Sequence, residues 1–283
     1  MRARLGVVTA FVHKVDAEQG RVQVEYRAID DELNSTWAPV AAPMSGGKRG
    51  QLFMPEEGDE CLVAFENGDF DHPYVVGFLW NGQDVSSESK ASNRVIVTPG
   101  GHQLRFEDKK DDTRVILRSA GKHELLFEDR QGDGKHPLVR LKSNGGRELL
   151  LDDDTTNGKV EIASGRHKVT LDDAPGSTSI KIDAGMGVVT ISLNATPTPS
   201  LAISVAGNTI DIGPTGVSVS AAGTLSVTSA GMANITAASA SLTAPVVTVN
   251  AAVTTFSGVV IAPTVVATTV VGSTYTPGVG NLV

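Results

Sequence analysis

Between residues 94 and 206 apolar side chains come in pairs two positions apart, and the pairs recur in blocks. Leu104/Phe106, Leu125/Phe127, Leu149/Leu151 and Val169/Leu171 open four blocks; Val115/Leu117, Val139/Leu141, Val160/Ile162 and Ile180/Ile182 close them. A spacing of two puts both members on one face of a β-strand. Acidic, Lys- or Gly-bearing segments separate the strands of a block, as turns require. Each block therefore predicts strand–turn–strand over about 20–24 residues, and a degraded fifth block follows at Ile191/Leu193 and Ile203/Val205. From Gly207 the step shortens to seven or eight residues, through Ile210/Ile212, Val217/Val219, Leu225/Val227, Ala233/Ile235, Ala240/Leu242, Val247/Val249 and Thr254/Phe256. The rhythm fades between Val259 and Val283, where Pro and Gly recur. Repetition on this scale means stacked units that cannot bury their apolar faces singly.

Ahead of the repeats the pattern predicts five short strands, Leu5–Val12, Arg21–Arg27, Thr36–Ala42, Glu60–Phe65 and Tyr74–Leu79, punctuated by Gly, Asp and Pro. Five strands in so few residues suit a small closed barrel, because closure removes edge strands. The expected organisation is all-β: a barrel over 1–80, a polar Ser-rich linker over 81–93, strand–turn–strand repeats over 94–206, a short-repeat shaft over 207–258 and a tip over 259–283.

Charge divides the chain in the same way. Residues 1–90 hold 8 Lys/Arg and 15 Asp/Glu; residues 91–183 hold 16 of each; residues 184–283 hold only Asp211. An acidic barrel disfavours nucleic acid, which is bound through basic side chains that displace counterions. A strand-rich segment with one charge would aggregate as an open sheet. Units of seven or eight residues also offer a lone chain too little apolar area per turn. Both constraints point to three chains wound together, burying the paired positions against one another. The expected trimer core is then Leu104, Phe106, Val115, Leu117, Leu125, Phe127, Val139, Leu141, Leu149, Leu151, Val160, Ile162, Val169, Leu171, Ile180, Ile182, Ile210, Ile212, Val217, Val219, Leu225, Val227, Val247 and Val249. An uncharged shaft would also cross a bilayer cheaply, since each charge at mid-membrane costs about 2.5–3.5 kcal/mol on insertion scales.

Five stretches of the barrel carry a resemblance: Gly6-Val7-Val8; Asp16 to Gly20-Arg21-Val22-Gln23-Val24; Ser35-Thr36-Trp37-Ala38-Pro39-Val40; Pro55-Glu56-Glu57-Gly58-Asp59-Glu60; and Gly68-Asp69 through Pro73 to Gly77. In this order they resemble the OB-fold domain of the phage baseplate assembly protein V and VgrG spike family. The resemblance implies a homotrimeric central spike of a contractile tail or injection system, with an OB collar at its base and an intertwined, triple-stranded β-helical needle. It also implies docking on a baseplate hub and transient passage through a target membrane. With the barrel starting at Leu5, a separate hub protein is expected. Some members of the family end in a His-x-His metal tip, but no His follows His167. A flat apolar end formed by Tyr275, Val279, Leu282 and Val283, docking a PAAR-type cap, is expected instead.

Candidate chemistry is sparse. No G-x-S-x-G, H-E-x-x-H or phosphate loop is present, so no catalytic residue, cofactor or metal is assigned and the chain is expected not to be an enzyme. The acidic turns Glu107-Asp108, Glu128-Asp129, Asp152-Asp153-Asp154 and Asp172-Asp173 lack calcium-loop spacing and are expected to form surface ion pairs. His102, His123 and His167 recur in a ladder that Arg147 interrupts. Trp37 and Trp80 are expected to pack in a core or an interface. The lone Cys61, and a basic start followed by an alternating strand and not by an apolar signal core, fit assembly in a reducing bacterial cytoplasm and a final place in a baseplate. The competing reading is a single-chain β-helix that binds or degrades surface polysaccharide; the short period after Gly207 weighs against it.

Overall fold

A computed structural model describes residues 6–27, 29, 34–130 and 136–272. The chain is all-β, with one short 3-10 turn at Glu66–Gly68 among the described residues. It divides into two compact units, residues 1–225 and residues 226–283.

The first unit opens with seven strands: β1 (Val7–Asp16), β2 (Arg21–Glu25), β3 (Ala38–Pro39), β4 (Ser45–Gly46), β5 (Arg49–Gly50), β6 (Glu60–Phe65) and β7 (Pro73–Phe78). Five of them form one sheet in the order β3-β2-β1-β6-β7. A parallel bridge between Val40 and Val75, with the Ala41 N–H donating to the Val75 carbonyl at 2.8 Å, brings its two edges together as a nearly closed barrel. Alternation decides which side chains enter. Val22 and Val24 of β2, and Cys61, Val63 and Phe65 of β6, point inward and are buried. Tyr26, Phe65 and Phe70 close one end, with ring centroids 4.9–6.0 Å apart. Buried Ser35 is satisfied twice: its Oγ accepts from the Val24 N–H at 2.9 Å and donates to the Thr36 carbonyl at 2.6 Å.

Beyond shifts of one or two residues at strand ends, the barrel departs from the sequence reading in three places. The strand expected over Thr36–Ala42 is reduced to Ala38–Pro39, followed by the isolated bridge at Val40. β1 continues past Val12 to Asp16 through a register shift between Val12 and Lys14, a bulge that re-aims the strand and carries it across His13 and Lys14. The hairpin β4–β5 in the Gly-rich loop was not expected.

The repeats form β8 (Asn93–Val97), β9 (Gln103–Lys109), β10 (Asp112–Arg118), β11 (Glu124–Glu128), β12 (Leu138–Lys142), β13 (Arg147–Asp152), β14 (Lys159–Ser164), β15 (His167–Ala174), β16 (Ser177–Ala184), β17 (Val189–Asn194), β18 (Ser200–Val205), β19 (Asn208–Gly213) and β20 (Gly216–Ser220). They make one 13-stranded sheet in strict sequence order, antiparallel throughout. Within this stretch each strand pairs with its neighbour in the same chain. The expected winding of strands between chains therefore does not describe residues 93–220, because each turn is short enough to return the chain directly beside itself.

On one edge of the sheet the turns repeat a single design. The hydroxyls of Thr98, Ser119 and Ser143 accept from the N–H of His102, His123 and Arg147 at 3.0–3.1 Å. The residue before each of those donors, Gly101, Lys122 or Gly146, has a positive φ of 82°, 63° or 76°. The meander also runs past Gly207 to Ser220, so the change of repeat length does not coincide with a change of pairing.

In the second unit, no strand is present among the described residues. Its apolar side chains stand open, with Val227 83%, Ile235 89%, Ile261 92% and Val266 93% exposed.

Candidate functional site: an apolar ladder without a partner

Strand register sorts the meander into two chemically opposite faces. One column runs from Ile96 through Leu104, Leu117, Leu125, Leu141, Leu149, Ile162, Val169, Ile182, Ile191 and Ile203 to Ile210 and Val219, each residue directly opposite the next. Beside it on the same face lies a second column: Phe106, Val115, Phe127, Val139, Leu151, Val160, Leu171, Ile180, Leu193, Leu201, Ile212 and Val217. Every residue between Leu104 and Val219 expected to form a trimer core falls in one of these columns. Along the second column the large rings Phe106 and Phe127 give way to Leu151 and Leu171. In the single chain the ladder is half covered: Leu117, Leu141 and Ile162 are 52–53% exposed, although their neighbours on both sides are apolar. The remaining expected core positions, Leu225, Val227, Val247 and Val249, are exposed and lie outside any strand.

The opposite face is a lattice of ion pairs. Arg105 binds Glu107 at 2.8 Å and also holds Glu88 of the linker, while Arg114 meets Glu107 at 3.2 Å and Asp112 at 3.1 Å. Arg130 bridges Asp112 and Glu128, both at 2.7 Å. Glu124 accepts from Arg118 Nε at 3.0 Å and from Arg140 at 3.1 Å. The Arg118 hydrogen bond, ahead of the opposing effect of desolvation, holds the Glu124 carboxyl below the usual carboxylate range. Among these heads, Ile116 and Leu126 are buried to 8% and 5% exposure. Arginine stems laid along apolar surface cover such residues while their heads stay wet. The sequence reading missed this pair because each lies in a continuous apolar run, where period two does not say which residue faces which way.

The other sequence candidates scatter. Asp108 pairs with Arg94 at 2.8 Å and Asp152 with His136 at 2.7 Å. The His102 and His123 Nδ1 atoms accept from the N–H groups of Ala120 and Asn144, each at 3.3 Å, one turn further along the sheet edge. Cys61 lies inside the barrel, and burial pushes its thiol up to about 12, far from the thiolate a nucleophile needs. Trp37 lies beneath the Arg21 guanidinium at 5.0 Å. Trp80 is 73% exposed, so within the chain it belongs to no core. Tyr275, Val279, Leu282 and Val283 lie outside the described residues.

Residues 4–80 match the family model described as the type VI secretion system/phage-baseplate injector OB domain. The barrel is similar to that injector OB domain. The chain that carries it is similar to spike proteins. VgrG4b of Pseudomonas aeruginosa PAO1, a type VI secretion system spike protein, is 28% identical over 134 residues, covering 41% of this chain and 17% of VgrG4b. VgrG5 of the same strain is 28% identical over 115 residues, 36% of this chain and 15% of that protein. VgrG3 of Vibrio cholerae serotype O1 is 27% identical over 112 residues, 35% of this chain and 11% of that protein. The chain thus spans less than a fifth of the length of these curated relatives. All three alignments are longer than the injector OB match, so the likeness is not confined to the barrel.

Proposed function

We propose that three copies of this chain form the central spike of a contractile injection system or contractile phage tail. The OB barrels form a collar that docks on a baseplate hub, and the repeats form a needle driven through the target cell envelope when the sheath contracts. The work is mechanical: the chain transmits force and catalyses nothing. It is made in the bacterial cytoplasm, binds no nucleic acid, and meets the target membrane only in passing. A PAAR-type cap at the segment holding Tyr275, Val279, Leu282 and Val283 completes the point.

The observation that carries this reading is the uncovered ladder. A continuous apolar face from Ile96 to Val219 must be covered in water, and fully burying one Leu or Ile side chain is worth about 1.5–3 kcal/mol. The face repeats along the sheet, so an identical face is its natural complement. Three flat faces turned inward close a prism with no lateral apolar surface. The second unit adds a stretch of exposed Val and Ile that has no strand pairing among the described residues. The injector OB domain and the spike relatives support placing such a prism beneath a baseplate.

Light scattering on the purified chain tests the proposal. The expected mass is three times 29.5 kDa, with a band on SDS gels that falls to the single-chain position on boiling. A well-behaved monomer would overturn it and redirect attention to a single-chain polysaccharide-binding solenoid.

A further inference from the structure

Next to β8, the first strand of the meander, lies a groove of about 640 Å³ walled by Phe53 and Trp80 of the barrel region, the linker from Ser86 to Ala91, and Ile96. Its apolar lining is open: Trp80 is 73% exposed, Phe53 54% and Ile96 42%. We infer that this groove is filled by a second copy of the chain, with Trp80 and Phe53 as anchors that plug the upper end of the apolar ladder. The inference rests on the trimeric reading and adds the contact that ties collar to needle.

Continuity decides the occupant. Ile96 is the first rung of the ladder, opposite Leu104, and it is also part of the groove wall. Whatever covers the ladder must cover Ile96, and Ile96 shares the groove wall with Trp80 and Phe53, as do Val95 and Val97 from the other face of β8. A separate protein seated in the groove would compete for Ile96 with the copy that closes the ladder. The neighbouring column ends differently. Its place on β8 is taken by Arg94, opposite Phe106, whose guanidinium is held by Asp108 at 2.8 Å. The apolar surface therefore continues upward along one column only, and it leads into the groove.

The wall also carries charge, with Lys90 beside Glu88. The carboxylate in the groove wall, Glu88, is already engaged by Arg105 and by the Asn93 side-chain amide at 2.8 Å, so it does not recruit a cation. A Trp and a Phe beside an aliphatic rung are residues that anchor interfaces, where a single aromatic buries some 150–250 Å².

The experiment uses the full chain carrying Trp37→Phe, which leaves Trp80 as the only tryptophan. Mass is measured first, and then acrylamide quenching of Trp80 is compared between the native protein and the chain unfolded in guanidinium. A trimer in which Trp80 is quenched several-fold less than in the unfolded chain, with blue-shifted emission, is the expected result. A trimer of verified mass in which Trp80 is as accessible as in the unfolded chain overturns the groove contact and leaves the spike reading standing. A monomer overturns both. Should Trp37→Phe fail to fold, the difference in quenching between the natural chain and Trp80→Phe gives the same answer.

Discussion

Lys122 shows how closely the turns of the meander are specified. It occupies, at φ 63°, the place that Gly101 and Gly146 fill in the equivalent turns, and its N–H donates to the Ser119 carbonyl at 2.9 Å as theirs do to Thr98 and Ser143. A side chain in that region costs about 1–2 kcal/mol, and glycine gives back part of this through its freer unfolded chain. Lys122→Gly should therefore raise stability by roughly 0.5–1 kcal/mol, visible as a higher melting temperature, whereas Gly146→Lys should lower it. Glu124 supplies a pH dependence. Its carboxyl is held below the ordinary value chiefly by Arg118, so its contribution is complete above the unfolded-state pKa of about 4.3 and is lost as pH falls through the lower folded value. Glu124→Gln should destabilise the protein at neutral pH, and the gap to the natural chain should narrow below about pH 4. An unchanged gap in thermal melts at pH 7 and pH 3 would show that the Arg118–Glu124–Arg140 cluster is not what is titrating.

At the scale of the element, the question is which face of the sheet matters. Leu141 and Lys142 are adjacent in β12 yet point to opposite sides, Leu141 into the ladder and Lys142 toward Glu148 at 3.9 Å. Leu141→Asp should abolish the assembled mass and leave single or aggregated chains, while Lys142→Gln should leave the mass unchanged, since an exposed pair of this length is worth at most about 1 kcal/mol. If both variants assemble normally, the ladder is not an interface. These strands were legible before the structure because period two is a strong signal wherever one face is apolar and the other charged, as in Leu104-Arg105-Phe106-Glu107. It fails where both faces are apolar. Val115-Ile116-Leu117 and Leu125-Leu126-Phe127 gave no hint that Ile116 and Leu126 would be buried on the charged side, opposite Arg105 and Arg140. Nor could periodicity say whether successive strands would pair within the chain or between chains, because a ladder of alternating residues looks the same in both. The two-residue β4 and β5 carry no pattern at all.

Across the whole molecule the way the backbone is satisfied changes, and that change can be measured. Strands as far as Ser220 find their hydrogen-bond partners inside the chain. Beyond them, residues rich in Val, Ile, Thr and Ser continue with no ladder partner of their own among the described positions up to 272, and with side chains such as Val253 and Val271 80% and 93% exposed. Buried backbone groups must be paired, and apolar side chains of this number do not stay in water. If three chains supply one another's partners here, amide hydrogen exchange becomes the discriminating readout. In the assembled protein the amides of residues 227–271 should exchange slowly and cooperatively, on the same timescale as the barrel strands β1 and β6. On dissociation by mild denaturant they should lose protection together with the quaternary structure, because among the described residues no strand of their own chain pairs with them. The amides of the meander should then lag behind, since their ladder is intrachain. Fast exchange across 227–271 in a particle of verified trimeric mass would mean that assembly is confined to the ladder of the first unit. The second unit would then be chain that gains its structure only from a further partner, and the needle would be as long as the meander alone.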